Sequence, residues 1–281
     1  MYNINRINTY LRFLPIYYFK WRHIVFYMER TKGMLYGIGT GPGDPELITL
    51  KAVKKIQECK YIFFQGKSKE DSLCCKIAEA AVAGLDSKTF VPCRVPMTKD
   101  LKILDQAYDE IAESVSQVLD EGNDVAFLTL GDPTVYAAYI YVHQKISARG
   151  YEARIINGVP SFCAAAGALG ISLAERSDVL HIIPASYDVD SALTLPGTKV
   201  LMKSASNLPN IKARLLAYGE TSDIEVSGDI GRETFKKQAN MEVYAASNCG
   251  LADEKLSFCA EDIDENSGYL TLLIVKEGHK A

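Results

Sequence analysis

The stretch Gly37-Ile38-Gly39-Thr40-Gly41-Pro42-Gly43-Asp44-Pro45 stands between an apolar run, Met34 to Ile38, and an amphipathic run that begins at Pro45. It reads as strand, glycine-rich turn and helix in immediate succession, a pattern that occurs in many α/β folds. The glycines let the backbone approach a ligand closely, and Asp44 followed by Pro45 is an N-cap with proline at the first helical position. Without a ligand the same pattern is simply a tight turn. A dinucleotide-binding turn is disfavoured on two counts. Pro42 has no amide to offer a pyrophosphate, and where an acid should follow the second strand, Tyr61-Ile62-Phe63-Phe64 runs into Gln65-Gly66.

The same unit recurs along the chain. Leu47, Leu50, Val53 and Ile56 place one apolar face on a helix from Pro45 to Cys59, and Tyr61 to Phe64 is an unbroken apolar strand. A helix at Ser72 to Val82 and a strand at Thr89 to Cys93 follow. Leu101, Leu104, Tyr108, Ile111, Val115 and Val118 alternate three and four apart, predicting a helix from Lys99 to Glu121 with Gly122 as its stop. Asp124 to Leu130 is then a strand opening into Gly131-Asp132-Pro133-Thr134-Val135-Tyr136, with a helix over Ala137 to Arg149. After a strand at Ala153 to Ile156 comes Asn157-Gly158-Val159-Pro160-Ser161, then an alanine-rich helix from Phe162 to Leu169. Alternating strands and helices predict an α/β fold on a mostly parallel sheet, in which ligands collect beyond the carboxyl ends of the strands.

The expected organisation is residues 1–33 as an extension outside the fold, an N-terminal α/β domain over 34–156 and a C-terminal α/β domain over 157–281. The C-terminal half is less regular, with strands expected at His181 to Pro184, Lys199 to Met202, Ile224 to Ser227 and Tyr269 to Lys276, and a helix at Leu208 to Tyr218. Residues 1–33 carry six basic side chains against Glu29 alone, a charge of +5, so the net −4 of the whole chain leaves −9 for the remainder. Arg12, Pro15, Lys20 and Arg22 interrupt that segment too often for a bilayer span. A start-site extension, a docking helix and a membrane-surface segment all fit it. The acidic remainder gives no support to a nucleic-acid partner. Seven cysteines without a Cys-x-x-Cys pair or a secretory signal point to reduced thiols in the cytoplasm, and four scattered histidines suggest no metal site.

Gly39-Thr40-Gly41-Pro42-Gly43-Asp44, Gly131-Asp132-Pro133-Thr134-Val135-Tyr136 and Gly158-Val159-Pro160-Ser161, in this order and spacing, resemble the tetrapyrrole methylases. Pro96-Met97-Thr98-Lys99-Asp100, Gly131 to Tyr141 and Gly158 to Ala166 look most like members that methylate carbon 20 of precorrin-2 or cobalt-factor II in cobalamin synthesis. The resemblance runs from about residue 34 to the C-terminus. It implies two α/β domains with S-adenosylmethionine in the cleft between them, a tetrapyrrole beside the first glycine-rich loop, and a homodimer. Cofactor contacts carried over by the resemblance are Pro42, Gly131, Asp132, Pro133, Thr134, Val135, Ser161, Phe162, Met202, Tyr269 and Thr271. Substrate contacts would include Gly41, Gly43 and Asp44. Many relatives have Ser-Thr after the tyrosine, where this chain has Ala137-Ala138.

Asp132 and Tyr136 are the candidate catalytic residues. Asp132 reads equally as a turn or cap residue and as an acid facing substrate or cofactor, one that could accept the proton leaving carbon 20; a ring substituent is the other acceptor. Tyr136 reads either as core or as a substrate contact. Substrate carboxylates need donors, for which Arg94, Lys99, Arg176, Lys203 and Arg232 are candidates, each of them equally a solvated surface residue. Two rival readings share the fold: a methyltransferase acting on another tetrapyrrole position, on RNA or on diphthine, and a ligand-binding relative without activity.

Overall fold

The computed structural model describes residues 32–184, 188–220, 223–226, 233–236 and 241–277. Residues 1–31, Ser227 and Arg232 lie outside the described residues. The chain divides into two compact units. One holds the described residues up to Ile38, Leu50–Thr129 and Tyr136–Ile156; the other holds Gly39–Thr49, Leu130–Val135 and everything described from Asn157 onward. The three motif turns therefore group with the second unit.

In the first unit the strands Leu35–Gly39 (β1), Tyr61–Gln65 (β2), Thr89–Cys93 (β3), Val125–Thr129 (β4) and Ala153–Ile156 (β5) form one sheet in the order β3-β2-β4-β1-β5. The pairs β1 with β5, β2 with β3 and β2 with β4 are parallel. The helices are Leu50–Glu58 (α1), Leu73–Ala81 (α2), Leu101–Asp120 (α3) and Tyr139–Ala148 (α4). The Asp100 carboxylate starts α3 by accepting from the Lys102 amide at 2.9 Å and the Ile103 amide at 3.4 Å. From there Tyr108, Ile111, Ala112, Val115 and Leu119 bury one helical face. Leu101, predicted to lie on that face, is 78% exposed in the first turn. The helix predicted to begin at Pro45 is broken instead. A 3-10 turn over Pro45–Leu47 ends at an extended Ile48, and α1 begins only at Leu50. The consecutive β-branched Ile48 and Thr49 weaken helix at that point.

The second unit departs from the expectation of a mostly parallel sheet. Its strands Leu180–Pro184 (β6), Thr198–Met202 (β7), Met241–Ser247 (β10), Lys255–Ser257 (β11) and Thr271–Glu277 (β12) run in the order β11-β10-β12-β7-β6, and only β6 with β7 is parallel. A separate antiparallel pair joins Asp223–Val226 (β8) to Glu233–Lys236 (β9). Helices Ser161–Leu169 (α5), Val189–Leu193 (α6) and Leu208–Glu220 (α7) complete it. Alternate residues of β7, β10 and β12 face two different cores: Leu201, Val243, Ala245, Leu273 and Val275 on one side, Val200, Ala246, Leu272 and Ile274 on the other. The second core also takes Phe162, Ala165, Ala166 and Leu169 of α5. Among the described residues no helix is long and apolar enough to cross a membrane, and all seven cysteines are free thiols.

Candidate cofactor-binding site

The turns that follow β1, β4 and β5 in the chain meet in the second unit. Gly131 donates its amide to the Gly41 carbonyl at 2.8 Å, and Gly41 donates back to Gly131 at 3.4 Å, a one-residue antiparallel bridge between the first two turns. Gly158 of the third turn lies against both. A Cβ at Gly39 would come 2.6 Å from the Gly158 nitrogen, and one at Gly158 would overlap the Gly131 carbonyl and come 2.9 Å from the Gly39 Cα. Backbone touches backbone at this junction, so no side chain fits. Gly41 and Gly131 serve differently. Their φ values of +82° and +70° are left-handed, while a Cβ at Gly131 would meet nothing nearer than 4.0 Å.

Asp132 ties the second and third turns together. One carboxylate oxygen accepts from the Thr134 amide at 2.8 Å and from the Thr134 hydroxyl. The other accepts from Asn157 Nδ2 at 3.1 Å and the Gly158 amide at 3.0 Å. The side chain is buried, and burial by itself would push its pKa up; the four donors outweigh that and hold the carboxyl below its usual range. Pro133 is buried beside it, whereas Thr134 is exposed and Val135 is half-buried.

The back of the first turn rests on a segment that periodicity does not reveal. A Cβ at Gly43 would overlap the Cys249 carbonyl, and one at Gly250 would come 2.5 Å from the Asp44 nitrogen. Asn248 and Gly250 both adopt left-handed backbone, at φ 53° and 80°. Asn248 Nδ2 donates to Asp253 at 2.7 Å, and the Gly250 amide donates to Glu254 at 2.7 Å. Burial, together with the nearby Glu254, pushes the Cys249 thiol up to about 12. The Asn-Cys-Gly triplet was the available signal, since Asn and Gly are the two residues that readily adopt this conformation. Asp44 itself caps the 3-10 turn, accepting from the Glu46 amide at 2.8 Å.

An apolar wall accompanies the turns. Val135 and Met202 pack against the core built from Phe162, Val200, Leu272 and Ile274. Ser161 occupies the first position of α5, directly after Pro160. The Thr271 hydroxyl donates to the Gly268 carbonyl at 2.7 Å and lies 2.9 Å from the Ser247 hydroxyl. The last strand begins at Thr271 rather than at Tyr269, which lies ahead of it and is 62% exposed. Pro42, Gly131 to Val135, Ser161, Phe162, Met202, Tyr269 and Thr271 thus all belong to the second unit, as do Gly41, Gly43 and Asp44.

Tyr136, Arg94 and Lys99 belong to the first unit, and all three are exposed. Tyr136 is not part of a helix: it has φ 48°, a conformation rare for an aromatic residue, and α4 starts three residues later. Of its alternative readings, core is therefore the one that the 45% exposure argues against. Ala138 packs on the first unit's core. Arg176 and Lys203 are exposed residues with left-handed backbone, and Lys203 directly follows Met202. Among the described residues no group of three or more His, Cys, Asp or Glu could hold a metal ion. A cavity of ≈ 290 Å³ lined by Ser247, Lys255, Ser257, Asp262 and Asp264 contains none of the candidate residues.

Residues 34–260 match the model of the Tetrapyrrole (Corrin/Porphyrin) Methylases. A Methanocaldococcus jannaschii protein named "Probable cobalt-precorrin-2 C(20)-methyltransferase" is 31% identical, covering 89% of this chain and 98% of that protein. A "Precorrin-2 C(20)-methyltransferase" of Sinorhizobium is 29% identical over 86% of this chain and 95% of its own length. Among solved structures, uroporphyrin-III C-methyltransferase of Thermus thermophilus complexed with S-adenosylhomocysteine superposes with a TM-score of 0.57 at 18% identity, covering 87% of this chain and 98% of that one. With the family model matched over most of its length and its three motif turns joined in one place, the chain belongs to the tetrapyrrole (corrin/porphyrin) methylases.

Proposed function

We propose that this protein methylates carbon 20 of precorrin-2 or of its cobalt complex in cobalamin biosynthesis, with S-adenosylmethionine as the methyl donor. The observation that carries the reading is the near-full-length similarity to two proteins both named for that position. When bound, S-adenosylmethionine supplies a sulfonium methyl to carbon 20: the new carbon–carbon bond forms as the carbon–sulfur bond breaks, S-adenosylhomocysteine leaves, and carbon 20 gives up a proton.

The residues present fit such a ligand. Open space beside the left-handed Gly131 leaves the backbone of that turn approachable, and Val135, Phe162 and Met202 supply apolar surface for the uncharged adenosine part of the ligand. Their work is orientation and exclusion of water, which brings reacting atoms to about 3–3.5 Å in alignment. The Asp132 carboxylate already accepts four hydrogen bonds, so the carbon-20 proton passes to a carboxylate of the substrate or to water. By the family resemblance alone, Arg94 and Lys99 are candidate donors for the substrate's acidic substituents, and the proposed enzyme acts as a homodimer in the cytoplasm.

The test is incubation, without oxygen, with S-adenosylmethionine and either precorrin-2 or the cobalt complex of sirohydrochlorin, its oxidised form, followed by product mass. A gain of one methyl group on either substrate supports the reading. No gain on either, from folded protein that binds S-adenosylhomocysteine, overturns it.

A further inference from the structure

We infer that Asp132 is a positioning residue: its carboxylate is a latch that fixes the Gly131–Val135 turn to the Asn157–Ser161 turn, and the affinity of the cofactor site depends on that latch being closed. The inference rests on the methyltransferase reading for the ligand and on geometry for the latch. Two oxygens receive four donors from two separate segments, with Thr134 on one and Asn157 Nδ2 and the Gly158 amide on the other. The side chain is only 5% exposed.

The latch lies beside the glycine junction. Gly131, immediately before Asp132, is bridged to Gly41, and Gly158, which donates to Asp132, packs against Gly39 and the Gly131 carbonyl. All three turns share these few atoms. Releasing the carboxylate from Asn157 and Gly158 frees the third turn from the second, and with it Ser161 and Phe162 at the start of α5. Val135, at the end of one turn, and Phe162, in the helix that follows the other, pack on the same apolar core. Their spacing on that wall is therefore set where Asp132 holds the two turns together. A general base needs a lone pair free to take a proton at the reacting carbon. Asp132 instead spends its acceptor capacity on the protein.

The experiment compares wild type, Asp132→Asn, Asn157→Ala and the double variant D132N/N157D by S-adenosylhomocysteine calorimetry and by steady-state kinetics on the tetrapyrrole. Asn at 132 turns one acceptor into a donor facing Asn157 and Gly158, and loss of a charge-assisted hydrogen bond there weakens S-adenosylhomocysteine by about tenfold or more. The KM for S-adenosylmethionine rises with it, while kcat at saturating cofactor falls much less. In D132N/N157D the donor and acceptor are exchanged across the gap, and part of the affinity returns. Asn157→Ala removes a single donor and reports on the latch even where Asp132→Asn does not fold; its expected loss is about threefold to tenfold.

A folded D132N that binds S-adenosylhomocysteine like wild type but loses kcat by a hundredfold or more identifies a proton acceptor and overturns the latch. Unchanged affinity in Asn157→Ala overturns it as well. Wild type that does not bind S-adenosylhomocysteine at all refutes the functional reading first, an outcome distinct from either.

Discussion

The glycine junction permits a sharp test through Gly158→Ala. A Cβ there would overlap the Gly131 carbonyl and sit 2.9 Å from Gly39, and both neighbours are backbone, unable to swing aside as the end of a side chain could. The φ of Gly158 lies outside the left-handed region, so the added strain is purely steric. Overpacking of this kind costs about 1–3 kcal/mol. If the third turn moves away to relieve it, the Gly158 amide leaves Asp132, and loss of a hydrogen bond to a charged group costs about 1.5–3 kcal/mol. Either route, or a mixture, gives a destabilisation of about 1–3 kcal/mol. Two other alanine substitutions provide the scale. Gly131→Ala meets no atom within 4.0 Å but must hold φ +70°, for about 1–2 kcal/mol. Gly167, exposed within α5, has nothing within 4 Å, and alanine there stabilises by about 0.5–1 kcal/mol. Urea unfolding followed by circular dichroism measures all three. A Gly158→Ala protein within about 0.5 kcal/mol of wild type would refute the account of the junction.

Asp100→Ala removes the carboxylate that caps α3 through Lys102 and Ile103, and should cost about 0.5–2 kcal/mol in the same unfolding assay. The pKa of Asp132 is held down in the folded protein, so its stabilisation is present above the unfolded carboxylate value of about 3.9 and is lost as pH falls through the lower folded value. The stability gap between wild type and Asp132→Asn should accordingly narrow below about pH 4, and a gap that widens there contradicts the assignment. Removing residues 1–33, ahead of the start of the family match, should leave kcat/KM for methylation within about twofold of the full chain, whereas a soluble, folded but inactive truncation shows that the segment has a role.

Much of the first unit is legible from periodicity. The run from Leu104 to Val118 defines a helix face because burial pattern and backbone period coincide there, and the short unbroken run of large apolar residues from Tyr61 to Phe64 marks a strand covered on both sides. The second unit is less legible. No sequence period marks β10, whose Val243 and Ala245 alternate with Tyr244 and Ala246 onto two different cores. With both faces apolar, period two disappears from the sequence. The glycine turns announce themselves, but which glycines are crowded and which merely left-handed follows from tertiary contacts: Gly39 and Gly158 have no room for a Cβ, whereas Gly131 has room and an unusual φ. Asp132 could be read locally as a turn residue, and Thr134 two positions on bears that out. Its partners Asn157 and Gly158, 25 and 26 residues away, are beyond any local signal.

The central claim, methylation at carbon 20, is tested most directly with S-adenosylmethionine carrying a carbon-13 methyl group. The protein is incubated with the dimethylated tetrapyrrole, metal-free or cobalt-bound, and the isolated product is read by NMR. The account predicts a single new labelled methyl resonance, coupled to carbon 20 of the macrocycle. Label on any other carbon, or label transferred to ribosomal RNA with the tetrapyrrole untouched, would contradict it.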